Sequence, residues 1–172
     1  MSIKSKRESG QFMVELMVAA SLMIICMLGT FSVLSQSLSL SRVAENQYVA
    51  AGLAAEGVEV VKNIIDANAI SETAAWNEDV SVADEAFGVQ FDTTTLGATE
   101  SGRSGSKLRY DDTTGLYSYD TTGEETNFIR AVNIKNLGDL VQVESKVTWV
   151  GRGGADFEIV VIANYLNWRK DL

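Results

Sequence analysis

The sequence predicts an α+β fold in which one long N-terminal helix packs on a C-terminal antiparallel sheet. Three observations predict it. Residues 12–34 are almost wholly apolar, and between Gln11 and Ser41 the only charged residue is Glu15. From Ser35 to Asp66 there is no Pro, and Val43, Ala50, Ala54, Val58, Val61 and Ile65 recur at close to helical spacing. In the last third of the chain, apolar and polar residues alternate with a period of two, the pattern of strands with one buried face.

The elements follow in order. Residues 1–10 form a short polar leader carrying Lys4, Lys6 and Arg7. Residues 11–34 are long enough for a helical membrane span, which needs about 20 apolar residues. The basic end lies before the run, so the N-terminus is expected on the cytoplasmic side and the C-terminal bulk outside. The run is longer than the apolar core of a secretory signal, holds a carboxylate near its start and lacks a small-residue cleavage site after it. A plain single-pass anchor accounts for the run but gives no reason for Gly10 or Glu15, and an acid within a membrane normally has a partner.

Residues 35–66 continue the helix as an amphipathic half. Val49, Leu53, Val60 and Ile64 widen its apolar stripe, Ala50, Ala51, Ala54 and Ala55 thin one side for close approach, and Glu59 and Lys62 are placed to pair three residues apart. A helix from Phe12 to Asp66 would be roughly 80 Å long at 1.5 Å per residue. That exceeds what a single domain of this size needs, so its first half must be buried in lipid or in a filament core.

Residues 67–172 form the head. Up to about residue 127 they are rich in Thr, Ser, Gly, Asp and Glu, which predicts loops with short strands at Phe87–Phe91, Leu108–Tyr110 and Leu116–Tyr119. Tyr110-Asp111-Asp112-Thr113-Thr114-Gly115 is echoed by Tyr119-Asp120-Thr121-Thr122-Gly123, which predicts two successive turns in a meander. Strands are then expected at Phe128–Ile134, Val141–Trp149 and Phe157–Tyr165, the last two joined by a hairpin at Gly151-Arg152-Gly153-Gly154. The Ala/Val stripe of the helix is the natural cover for the apolar face of this sheet.

Composition limits the function. The net charge is −9, from 14 Lys and Arg against 23 Asp and Glu. An acidic body is a poor match for nucleic acid. There is no His, hence neither the commonest general base nor the commonest zinc ligand. The single Cys26 lies in the apolar run, where it acts as a small apolar filler, and one cysteine excludes an intrachain disulfide. Asp111, Asp112, Asp120, Glu124 and Glu125 cluster near the turns without the spacing of a calcium loop, so solvated turns are expected and no metal or cofactor is assigned. The Gly151–Gly154 stretch lacks the Lys-Ser/Thr of a phosphate loop, and Trp149, Tyr165 and Trp168 read as sheet core and edge. With no His and no nucleophile elbow, the sequence does not read as an enzyme.

The unusual feature is Glu15. A carboxylate in an apolar helix becomes tolerable if it finds a cation, and an α-amino group suits. A cut between Gly10 and Gln11 would create one four residues upstream. Paired between neighbouring chains, amine and carboxylate would set axial register, which apolar packing alone sets poorly. The cut would remove Lys4, Lys6, Arg7 and Glu8 from totals of 14 and 23, leaving 11 basic and 22 acidic residues.

Lys6-Arg7-Glu8-Ser9-Gly10 followed by Gln11-Phe12-Met13-Val14-Glu15 and an apolar helix resembles the class III signal of type IV prepilins and type II secretion pseudopilins. The close resemblance covers about the first 35 residues, and the helix-plus-sheet plan is similar throughout. It implies a pilin-like fold, cleavage after Gly10 by a membrane prepilin peptidase, N-methylation of Gln11 and a role for Glu15 in assembly. It implies as partners other pilin subunits, the prepilin peptidase, an inner-membrane platform protein and an assembly ATPase. Two positions differ: Gln11 stands where Phe or Met is usual, and Ser32 stands where major pilins carry a helix-loosening Pro. The stretch Glu56–Asp66 is similar to minor pilins of the modification-protein type. The expected function is thus a structural subunit, of the minor kind, of a type IV pilus-like filament, assembled through its N-terminal helix. A secretion pseudopilin shares every N-terminal feature, a DNA-uptake pilin is disfavoured by the acidic head, and a plain anchored ectodomain would keep Met1. The expected location is the membrane as a precursor, then an extracellular pilus or a periplasm-spanning pseudopilus.

Overall fold

The computed structural model describes residues 4–71, 75–80, 85–151 and 153–167; the side chains of residues 4–9 and Asp79 fall outside that description, as do Arg152 and Trp168. Helix α1 runs unbroken over Lys4–Ser71. After it come a 3-10 turn at Glu78–Val80, strand β1 (Ala86–Phe87), helix α2 (Ala98–Arg103), and strands β2 (Lys107–Asp111), β3 (Leu116–Ser118), β4 (Glu124–Asn136), β5 (Leu140–Val150) and β6 (Asp156–Leu166). The fold is α+β, a long N-terminal helix packed on a C-terminal antiparallel sheet, as the sequence predicts. The chain divides into two compact units, one up to Glu45 and one from Asn46 onward.

Among the described residues the first unit is helix alone. Every residue from Gly10 to Arg42 is exposed. The absence of Pro lets the backbone ladder continue, and the hydroxyls of Ser21 and Thr30 donate to the carbonyls of Val18 and Met27, at 2.8 and 2.9 Å. Helix α1 is the one described element long and apolar enough to cross a membrane.

The second unit joins the rest of α1 to the sheet. Strand order is β3-β2-β4-β5-β6, and β1 pairs with the far end of β4. The buried face follows the expected alternation: Phe128, Val132 and Ile134 on β4, Val141, Val143, Val147 and Trp149 on β5. From α1, Ala50, Leu53, Ala54, Val58, Val60, Val61, Ile64 and Ile65 are buried against the head, while Ala51 and Ala55 are exposed. The core has two apolar clusters. One holds Ala50, Leu53 and Ala54 with Leu108, Phe128, Val147 and Trp149. The other holds Val58, Val61, Ile64 and Ile65 with Val132, Ile134, Val141 and Val143. Progress along residues 50–65 therefore follows progress along β4 from Phe128 to Ile134, so the covering helix and β4 run in the same sense.

The sheet departs from a simple meander. Strand β4 pairs with β2, not with β3, so the chain leaving β3 crosses the end of β2 before β4 begins. Gly123 makes the crossing possible: a Cβ there would lie 2.8 Å from the carbonyl carbon and oxygen of Tyr110. Arg109 Nε donates to the Gly123 carbonyl at 2.7 Å and pins the crossing. The Gly115 and Gly153–Gly154 turns form as predicted, with φ of 73°, 91° and 79°. The strand expected at Phe87–Phe91 shortens to Ala86–Phe87, because Gln90 turns inward and its side-chain carbonyl accepts the Tyr119 amide at 3.0 Å.

Candidate functional site

The segment around Gly10, Gln11 and Glu15 lies entirely within the exposed apolar stretch of α1. Gly in a helix interior is about 1 kcal/mol less favourable than Ala, so a Gly there normally has a steric reason. At Gly10 a Cβ would meet nothing within 4 Å, as at Gly29 and Gly52 on the same helix. Gln11 and Glu15 are separated by four residues, which places them on one helix face. Among the described residues no basic group pairs with Glu15, and the next charge along the chain is Arg42. Glu15 is thus the one charged residue on the exposed helical stretch from Gln11 to Ser41. Lys4, Lys6 and Arg7 lie on the first turns of α1, and their side chains fall outside the described residues.

A second constellation sits in the head and went unforeseen. Between the two apolar clusters lies a thin polar layer of Glu56, Gly57, Arg130 and Ser145. Arg130 is fully buried. Its Nη1 donates to the Leu53 carbonyl at 3.0 Å and lies 3.4 Å from Glu56 Oε1, and its Nη2 donates to the Val89 carbonyl. Tyr119 donates from its hydroxyl to the Arg130 carbonyl at 3.3 Å, and the Arg103 guanidinium lies 5.7 Å from the Tyr119 ring centre. Burial pushes the Tyr119 phenol above its ordinary value, with Arg130 and Arg103 pulling it partly back. This layer ties α1, β4 and the loop at Val89 together and has the character of a structural clasp. A signal for it existed: the period-two pattern of β4 places residue 130 on the same face as Phe128 and Val132.

The acidic turns behave as local structure. Asp111 accepts the Thr113 amide at 2.9 Å, and that bond holds its carboxyl below the usual range. Lys107 donates to Glu125 at 2.8 Å and lowers its carboxyl in the same way. Among the described residues no three His, Cys, Asp or Glu side chains converge on a point where a metal ion would sit. Trp149 is buried in the core and stacks on Phe157, with ring centres 5.6 Å apart, while Tyr165 lies half-buried on the edge strand.

No protein-family model, curated protein or solved structure matches the chain. The architecture itself is pilin-like, with a long, membrane-compatible N-terminal helix whose second half packs on a C-terminal antiparallel sheet.

Proposed function

We propose that this protein is a structural subunit of a type IV pilus-like filament, made as a single-pass membrane precursor and cut between Gly10 and Gln11. One observation carries the assignment: Gly10 closes a basic leader and stands five positions before Glu15, the only charge on the exposed apolar stretch from Gln11 to Ser41. A cut after Gly10 accounts for that spacing, because it places a free amine four residues before Glu15. The new amine of Gln11, which is then methylated, gives Glu15 its counter-charge. In the filament, residues 11–34 form the core, the Gln11 amine of one subunit meets Glu15 of another, and the head faces outward. The partners are other pilin subunits, the prepilin peptidase, the inner-membrane platform protein and the assembly ATPase. The pseudopilin of a secretion system is the same molecule in another machine, and loss of secretion without loss of surface fibres would identify it.

The test is the mass of the mature N-terminus from cells. A chain beginning at methylated Gln11 supports the assignment; an intact Met1 or a cut near Leu34 overturns it. A Glu15→Val variant is expected to insert and be cut normally, yet to appear in sheared filaments at less than about a tenth of the wild-type level, since about 1.4 kcal/mol of lost pairing is already a tenfold effect. Incorporation at the wild-type level would remove the role given to Glu15.

A further inference from the structure

Strand β6 ends the sheet. It pairs with β5 over all eleven residues without a bulge, and among the described residues nothing pairs with its other edge. Free edges invite another strand, and proteins normally blunt them with lysines, prolines, bulges or short length. The opposite edge is blunted in this way, since β3 has only three residues. β6 carries none of these devices. It has no Lys, Arg or Pro, and its only charges, Asp156 and Glu158, lie at one end. Its outward face exposes Val160, Ile162 and Leu166 at 42%, 54% and 65%.

We propose that this edge docks β6 of a second copy of the chain in antiparallel register centred on Val161. That register is the one that pairs the whole strand while keeping like faces together. It sets Asp156 against Leu166, Glu158 against Asn164 and Val160 against Ile162 on the outer face. On the inner face it sets Phe157 against Tyr165 and Ile159 against Ala163. No acid then faces an acid, and Val160 and Ile162 of the two copies stand beside one another on the outer face as apolar cross-strand pairs. A parallel copy in register would set Asp156 against Asp156 and Glu158 against Glu158, which is repulsive. The β3 edge of a second copy offers only three residues, beside Asp111, Asp112 and Asp120.

The geometry has a directional result. Residues 50–65 of α1 run with β4, and β4 and β6 both oppose β5, so the covering helix runs in the sense of β6. A two-fold axis through Val161 reverses it. The paired heads point in opposite senses, so in a polar filament they belong to two different filaments. The edge would then join filaments laterally, and neighbouring subunits within one filament would not use it. The pairing itself does not depend on the filament assignment, because its test uses the purified chain.

The experiment is register-specific disulfide trapping on the full chain in detergent, in a Cys26→Ala background because Cys26 is exposed. Opposed residues in an antiparallel pair have Cα atoms about 4.5–5.5 Å apart, within disulfide range. Differently tagged Val160→Cys and Ile162→Cys chains are mixed and oxidised. The expected result is a mixed Val160→Cys/Ile162→Cys dimer at several-fold the yield of either homodimer. Val160→Cys homodimers in equal or greater amount would mean parallel or unspecific contact, and absence of linkage by the folded chain would mean no pairing; either overturns the proposal. In the wild-type chain, Ile162→Lys should reduce the dimer population at least tenfold with the circular dichroism unchanged. A dimer unaffected by Ile162→Lys would also overturn it.

Discussion

Arg130 is the residue at which the head's packing is most exposed to a single change. A buried guanidinium is tolerated because two carbonyls and the Glu56 carboxylate surround it. Removing one partner of such a set leaves desolvated acceptors behind, at about 3–5 kcal/mol for a fully buried pair. Glu56 remains about one-third exposed, so the lower end applies. Arg130→Met is expected to lower the unfolding free energy of the head by about 3 kcal/mol, whereas Glu56→Gln should lose about 1 kcal/mol because the hydrogen-bonded carbonyls remain served. Urea unfolding followed by tryptophan fluorescence measures both, and equal losses would show that the carboxylate is as important to the clasp as the carbonyls. Ser145 stands in the same layer with its hydroxyl fully buried and without a hydrogen-bond partner. Its value is its small size, which leads to the helix it faces.

At the scale of elements, the contact between α1 and the sheet is set by Gly57. A Cβ there would run into Ser145 Oγ and come within 3.1 Å of Val132 and 3.3 Å of Arg130 Cδ. Gly57→Ala gains about 1 kcal/mol of helix propensity but overpacks this crossing at about 1–3 kcal/mol. A net loss of about 1 kcal/mol is expected, and Ser145→Gly should restore much of it. Gly52→Ala, where a Cβ meets nothing within 4 Å, should instead stabilise, and a thermal melt of the three variants separates these outcomes. The same elements mark what was legible in the sequence. The stripe of α1 and strands β4 to β6 were legible because each buries one face, and burial of one face prints a period. Helix α2 was not: its six residues carry no apolar repeat, and it is held by the Glu100 carboxylate accepting the Gly97 amide and by the Gly88 amide reaching the Glu100 carbonyl. The β2–β4 pairing was hidden too, because the role of Gly123 exists only once two distant strands are adjacent. At the N-terminus the candidate residues come from type and spacing alone, and the structure adds only that they lie on an exposed helical stretch.

For the molecule as a whole, ionisation links stability to pH. Burial raises the Tyr119 and Tyr165 phenols above their ordinary value, with Glu59 and Asp66 adding to the effect at Tyr165. A proton held more tightly in the folded state stabilises fully below the unfolded value near 10, and that contribution is lost as pH rises through the folded value. Head stability should therefore fall above about pH 10, and Tyr119→Phe should flatten that fall, as read from urea midpoints between neutral and strongly alkaline pH. The layout of the sheet also orders its assembly in time. Strands β4, β5 and β6 join through turns of a few residues, whereas the Leu53–Arg130 bond closes a separation of 77 residues. Closure entropy grows with loop length, so the three-stranded hairpin pair is the cheapest part of the head to form. The helix arrives at a sheet whose apolar face is already laid out. During that interval the newly made head is sticky on one face, and the speed of helix docking governs how much of it reaches the folded state.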